Sequence, residues 1–238
     1  MKLFTLPKLL KTNDLQYFDY LILNKSFTYI NFSLFVKFLI TIFTSDQKKF
    51  VMSLKNSVTT SDYLNFDATL NKAIKIIKTD SNYKLGFLVV FGINTGLRIS
   101  DILKLKVEDL NSDSILLVES KTNKKRNIKL NDNVKTAFKL LKERNPNIEG
   151  YVFTSNQNTV LSKQYVNRKL KEVFGSKSLA VSTHSLRKTF GRQVWSNNNE
   201  TDKALLYLSE LFNHSSPAIT KRYLGIRQEE LDDIYMNL

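Results

Sequence analysis

The chain contains no cysteine and only two histidines in 238 residues. The first absence excludes disulfides, thiol nucleophiles and thiolate ligands, and both together exclude a zinc site built from His and Cys. A metal hydrolase would need a carboxylate cluster instead, and none is evident, so neither a metal nor a cofactor is expected. Proline (3) and glycine (7) are also scarce, which leaves little material for a turn-rich all-β architecture or a long linker and favours a helical chain. Long apolar runs are missing too. The stretch Phe27 to Phe43 is broken by Asn31 and Lys37 and is shorter than the ~20 residues of a spanning helix; it reads as a buried or partner-facing helix, with no membrane partner. The first run, Leu3 to Leu10, is interrupted by Pro7 and Lys8 and lacks a small-residue cleavage site. It is not a secretory signal, and cytoplasmic residence is expected.

Acids are the scarce charge. Lys and Arg number 36 against 22 Asp and Glu, a formal net charge of +14, which predicts a polyanionic partner, nucleic acid ahead of a membrane surface. With 42% hydrophobic, 11% aromatic and 24% charged residues there is ample apolar surface for a core. The length suits one catalytic-sized domain plus something small. Aromatic density falls and Ser, Thr and Asn rise over Met52 to Asp67, which places a boundary near residue 60. Residues 1–60 are expected to form a short helical segment, 61–225 the main domain, and 226–238 a tail. Leu231, Ile234 and Leu238 share a helical spacing in that tail, a candidate contact for another subunit.

Hydrophobic periodicity predicts a mainly α protein with a small antiparallel sheet, an α+β fold. Leu70, Ala73, Ile74 and Ile77 mark an amphipathic helix from Ala68, and Leu85 to Ile93 a helix apolar on all sides. Gly96 is suited to end it with positive φ, and Ser100 with Asp101 to open the next. Ile115 to Glu119 and Arg126 to Leu130 are strands of a hairpin whose turn, Ser120 to Lys125, contains Asn123 in a position that tolerates a left-handed conformation. Asn131 caps a helix with Val134, Ala137, Phe138 and Leu141 inward, ended by Asn145-Pro146. Ser162 to Phe174 buries Val166, Leu170 and Val173 and turns Lys163, Arg168, Lys169 and Lys171 outward. Helices follow near His184 to Ser196 and Lys203 to Phe212, and Ser216-Pro217 opens a short one through Tyr223.

Six residues are suited to chemistry on a phosphate. Arg98 lies in the turn Thr95-Gly96-Leu97-Arg98, with Asp101 one turn on to orient it. His184 and Arg187, three apart, share a helix face, and Gly191 one turn later admits a close neighbour. His214 precedes the capped turn Ser215-Ser216-Pro217, and Tyr223 follows nine residues on. Lys121 sits on the hairpin tip, from which it can swing a proton donor to a leaving oxygen. Lys124, Lys125, Arg126, Lys163, Arg168, Lys169, Lys188 and Arg222 are candidate DNA contacts. Taken singly, each has an ordinary explanation: a locally paired arginine, a packed tyrosine, a solvated basic face.

Taken in order, Thr-Gly-Leu-Arg, a hairpin Lys, His184-Ser185-Leu186-Arg187, His214 and Tyr223 resemble the tyrosine recombinase (phage integrase) family over about Phe66 to Leu224. Both histidines of the chain fall on motif positions. The resemblance implies that family's catalytic-domain fold, mostly α-helical with a small antiparallel sheet, acting on double-stranded DNA as a site-specific recombinase or integrase. It implies Arg98, Lys121, His184, Arg187, His214 and Tyr223 as catalytic residues, a covalent 3′-phosphotyrosyl intermediate, and no metal or cofactor. It further implies a homotetramer on DNA, a monomer or weak oligomer when free, a candidate accessory DNA-bending protein, and a bacterial, phage or viral mobile-element setting. The family's preceding core-binding domain has fewer than about sixty-five residues available here, so that half of the DNA clamp is expected to be reduced or supplied by another subunit. A non-catalytic DNA-binding regulator on the same fold, and a telomere resolvase or topoisomerase with the same chemistry, stay open on the sequence.

Overall fold

In a computed structural model of the chain, residues 61–237 are described. The readings made for residues 1–60, including the Phe27 to Phe43 helix, lie outside them. Helix α1 (Phe66–Thr79) starts where the Asn65 side chain accepts from the Ala68 amide, so the polar stretch assigned through Asp67 ends earlier and Asp67 joins the first turn, a favourable place for an acid. Its Ala73, Ile76 and Ile77 are buried against α2 (Tyr83–Thr95), in which every residue from Leu85 to Ile93 is buried. A helix apolar on all sides belongs at the centre of a core. There Phe87 meets Phe91, Phe138 and Phe153 at centroid separations of 5.8–6.0 Å.

Gly96 ends α2 at φ +61° and is followed by the short α3 (Ile99–Ile102). Ser100 and Asp101 lie within α3, and Arg98 holds the cap position in extended conformation. A 3-10 turn, Glu108–Leu110, leads to the hairpin of β1 (Ser114–Val118) and β2 (Lys125–Lys129), paired antiparallel with Leu116 opposite Asn127. Each strand is displaced by one residue from its expected bounds. Asn123 takes φ 54° in the turn, as its position predicts.

Helix α4 (Asp132–Arg144) is capped by Asn131, which accepts from the Val134 amide, and buries Val134, Ala137, Phe138 and Leu141. Helix α5 (Lys163–Phe174) is capped by Ser162 and buries Val166, Leu170 and Phe174, with Val173 half-buried. Helix α6 (Thr183–Asn197) opens at Ser182, whose hydroxyl accepts from the His184 amide while its own amide donates to Ser185 Oγ. This reciprocal cap fixes the turn that carries His184.

A second, smaller core joins α6 to α7 (Asp202–Phe212) and α8 (Pro217–Leu224). Leu205, Leu208, Phe212, Leu224 and Ile226 form it, with Phe190, Val194, Trp195 and Tyr223 packed on its edge. Ser216 caps α8 through the Ile219 amide and Pro217 occupies its first turn. Gly191 is the close-approach point. A Cβ there would lie 2.6 Å from Leu224 Cδ2 and 3.1 Å from the Phe212 ring, so the missing side chain lets α8 seat against α6. The tail is helix α9 (Ile226–Met236), tied back by the Arg192–Glu229 and Lys221–Glu230 ion pairs, while Leu231 and Ile234 stay exposed. No helix among the described residues is long and apolar enough to cross a membrane.

Gly96 carries a measurable consequence. A Cβ at that position would meet the Phe190 ring at 2.3 Å and would also force a side chain into left-handed φ. Gly96→Ala is expected to lower the unfolding free energy by about 1–3 kcal/mol. Urea denaturation followed by circular dichroism measures it, and an unchanged midpoint would contradict the packing described.

Candidate active site

Arg98 leaves the α2–α3 turn in extended backbone, which aims its side chain away from both helices toward the hairpin and the end of α7. Nη1 donates to Glu119 Oε2 at 2.8 Å, and Nη2 donates to the Phe212 carbonyl at 3.1 Å. The guanidinium is thus held at two corners, with a fifth of its side chain still open to solvent. Asp101, expected to orient Arg98, does something else. Its Oδ1 accepts from the Ser120 amide at 2.9 Å and the Ser120 hydroxyl at 2.6 Å, so it anchors the hairpin.

Glu119 was not singled out by the sequence reading, yet it is the anion at the centre of the site. It is fully buried. Besides Arg98, its Oε2 accepts from the Thr122 hydroxyl at 2.6 Å, and its Oε1 lies 3.0 Å from Arg126 Nε. Burial by itself would raise its pKa; the Thr122 hydroxyl and the charges of Arg126 and Arg98 outweigh that and hold it below the ordinary carboxylate value. The signal in the sequence was an acid closing an apolar strand directly before a basic run.

Arg187 comes from the second turn of α6 and is buried. Its Nη1 donates to the Gly96 carbonyl at 2.5 Å, and its guanidinium carbon lies 4.2 Å from the Phe212 ring centroid. Nη2 is buried without a hydrogen-bond partner. Burial first, then the positive charge of Arg98, lowers its pKa to about 10, so it stays protonated at neutral pH. His184, exposed one turn earlier, has its pKa lowered from 6.5 by the surrounding protein and then by Lys163, Arg187, Lys188 and Arg98.

His214 follows Asn213, which ends α7 in left-handed conformation. Its Nδ1 pairs with Thr220 Oγ1 at 2.9 Å, which orients the ring from α8. Partial burial and then Arg187, Arg98 and Lys121 lower its pKa. Both shifts favour the neutral imidazole. The Tyr223 ring stands edge-on to Phe212 (5.7 Å) and His214 (5.3 Å), with Lys188 Nζ 5.4 Å from its centroid. Its phenolic oxygen is buried and has no hydrogen-bond partner. Burial pushes its pKa up to about 12 against the opposing pull of Arg187 and Arg98.

Electrostatic coupling thus joins Arg98, His184, Arg187, His214 and Tyr223, and Lys121 reaches the group through His214. Lys121 itself is exposed. Its neighbours Ser120 and Thr122 are held by Asp101 and Glu119, so any swing of its ammonium belongs to the side chain and not to a free hairpin. Of the basic residues expected on DNA, Lys124, Lys125, Lys163, Arg168 and Arg222 are exposed and Lys169 is half-buried. Lys124 Nζ donates to Asn213 Oδ1 at 2.5 Å, and Lys169 pairs with Glu172. Lys188 lies against Tyr223, and Arg126 turns inward to Glu119 with 14% of its side chain exposed. The site also uses Phe212 and Thr220, whose roles no local pattern marked. Among the described residues, no three His, Cys, Asp or Glu side chains are grouped to hold a metal.

Comparison with known proteins gives this geometry its setting. The chain is 38% identical over 160 residues to the "Probable integrase/recombinase YoeC" of Bacillus subtilis (strain 168), covering 66% of this chain and 85% of that one. It is 28% identical over 170 residues to the tyrosine recombinase XerA of Pyrococcus furiosus, covering 69% and 57%. Among solved structures, XerA recombinase superposes with a TM-score of 0.55 at 20% identity, covering 76% of this chain and 64% of that one. A lambda integrase dimer bound to a COC′ core site superposes with a TM-score of 0.52 at 22% identity, covering 71% and 49%. These two likenesses establish a shared fold. The chain spans most of the Bacillus relative but only about half to two thirds of the others' length. The model of the phage integrase family matches residues 66–230, from the first residue of α1 into α9, and the chain belongs to that family, the tyrosine recombinases.

Proposed function

We propose that this chain cleaves and rejoins duplex DNA by transesterification on Tyr223, as a site-specific recombinase or integrase. The observation that carries the reading is the pair of fixed guanidiniums, Arg98 and Arg187, beside a buried and unpartnered phenol. A scissile phosphate entering there would meet the unpaired Nη2 of Arg187 and the open side of Arg98. Burying such a donor unsatisfied costs on the order of 1–3 kcal/mol, which a nonbridging phosphate oxygen offsets. Three guanidinium charges, Arg98, Arg126 and Arg187, against the Glu119 carboxylate leave two positive charges. That balance suits a pentacoordinate transition state built from a phosphodiester and an attacking phenolate.

In the forward step the Tyr223 oxygen bonds to phosphorus and its proton passes to the neutral imidazole of His214, which Thr220 holds by the other nitrogen. The P–O5′ bond breaks, and the departing oxygen takes a proton from the Lys121 ammonium. His184 completes the contacts to the phosphate. The product is a 3′-phosphotyrosyl ester and a free 5′ hydroxyl, so attack by a second 5′ hydroxyl reverses the step without an external energy source. The exposed Lys124, Lys125, Lys163, Arg168 and Arg222 are read as contacts to flanking phosphates, with Lys169 and Lys188 beside them. A homotetramer on DNA, an accessory bending protein and a mobile-element setting belong to the same proposal. The lambda integrase dimer bound to its core site and the Tn1549 transposon integrase in complex with DNA support duplex DNA as the partner.

Retardation of duplex DNA by the full chain is expected to weaken steeply as salt rises, because each neutralised phosphate releases counterions. Cleavage of a nicked duplex is expected to persist in excess chelator, since arginines supply the charge stabilisation. A flat salt response would reject the electrostatic reading, and abolition by chelator with rescue by Mg²⁺ would reject the arginine mechanism.

A further inference from the structure

We propose that Glu119 is a positioning residue that couples the leaving-group acid Lys121 to the phosphate-binding guanidinium of Arg98, an inference that rests on the transesterification reading above. One carboxylate oxygen, Oε2, accepts from both Arg98 Nη1 (2.8 Å) and the Thr122 hydroxyl (2.6 Å). Thr122 is the residue directly after Lys121. The Glu119 main chain also closes the turn, its amide donating to the Lys124 carbonyl (3.0 Å) and its carbonyl accepting from the Asn123 amide (2.9 Å). The same carboxylate therefore sets the position of Arg98 and the path of the backbone from which Lys121 projects.

Full burial makes the link strong, because water does not compete for the carboxylate. It also makes a neutral amide a poor replacement: the carboxylate is the counter-charge that lets Arg98 and Arg126 share one wall. The coupling has a mechanistic use. Charge neutralisation on the nonbridging oxygens and protonation of O5′ must occur in one transition state. A shared anchor holds the two donors in one frame before DNA arrives.

The test separates the two partners by the leaving group. With oxygen at the scissile 5′ position, O5′ must take a proton from Lys121 as the P–O bond breaks. With sulfur there, the P–S bond breaks to give a thiolate, a far weaker base than an alkoxide (a cysteine thiol has a pKa of about 8.5), which leaves without a proton. A nicked duplex captured covalently by the wild-type chain from a randomised-site library supplies the sequence, synthesised once with oxygen and once with sulfur. Single-turnover cleavage of each by the full chain gives a sulfur-to-oxygen rate ratio.

Lys121→Ala is expected to raise that ratio by about 10²-fold or more. Glu119→Gln is expected to raise it by about 10-fold, a part of the Lys121 effect. Thr122→Val cuts only the hairpin half of the link, keeps the carboxylate and its arginines, and should raise the ratio in the same direction even if Glu119→Gln folds poorly. On the oxygen substrate, Glu119→Gln combined with Arg98→Ala should lose far less than the product of the single losses. Unchanged ratios in Glu119→Gln and Thr122→Val beside a raised ratio in Lys121→Ala would overturn the coupling alone. An unchanged ratio in Lys121→Ala would overturn the acid and the coupling together. No covalent capture by the wild type from any library would remove the recombinase reading on which both stand.

Discussion

Tyr223→Phe is expected to retard DNA as the wild type does and to form no covalent complex with it. The substitution removes one oxygen. In the free protein that oxygen makes no hydrogen bond and is buried, so deleting it breaks nothing and relieves an unsatisfied group; stability should be equal or slightly higher. The ring keeps its edge contacts to Phe212 and His214. On a duplex nicked beside the cleavage site, the short fragment bearing the 5′ hydroxyl diffuses away and religation fails, so the wild type should accumulate a protein–DNA adduct. A denaturing gel would show it as a slower, protease-sensitive band, with peptide mapping placing the DNA on Tyr223. Tyr207 and Tyr235 are the neighbouring alternatives, but they are 52% and 72% exposed, unlike the buried phenol of Tyr223. An adduct that survives Tyr223→Phe would move the nucleophile elsewhere. No adduct from the wild type on any site would leave a DNA-binding regulator on the recombinase fold as the better reading.

Arg187 should produce the second large effect. Replacing it by Ala removes a buried charge and the unpaired donor meant for the phosphate; replacing it by Lys keeps the charge but cannot bond the Gly96 carbonyl and a phosphate oxygen with a rigid fork. Both variants are expected to slow single-turnover cleavage by about 10²-fold or more, the loss typical of one preorganised donor. Retardation of DNA should change far less, because exposed lysines and arginines carry most of the salt-dependent affinity. Arg98→Ala should behave similarly. Near-normal cleavage in the Arg98 and Arg187 variants would remove the phosphate clamp from the mechanism. Arg187→Lys is the cleaner of the two, since it leaves less of a cavity beside Phe212.

The helices were legible because their ends are local events. Asn131, Ser162 and Ser216 each cap an amide three residues away, and Gly96 ends its helix with its own φ; such bonds need no distant partner. The two histidines, the hairpin lysine and the final tyrosine were legible as an ordered pattern, since residue type and chain order can be matched to a family without knowing how the chain packs. Less local features were read less well. The strand bounds shifted by one residue because pairing is decided by the opposite strand. Asp101 was assigned to Arg98 by proximity along the helix, whereas the hairpin brought Glu119 to the guanidinium and Ser120 to Asp101.

Chain order alone therefore carried the fold class, the helix caps and the family's ordered motif. Which carboxylate is desolvated beside Arg98, why Arg126 faces inward, and how Phe212 lies under Arg187 and beside Tyr223 were decided only by the packed chain. So was the raised pKa of Tyr223. The physical reason is that capping and periodicity act within one or two turns, while burial and charge pairing depend on contacts between residues far apart in sequence; Arg98 and Phe212 meet across 114 positions.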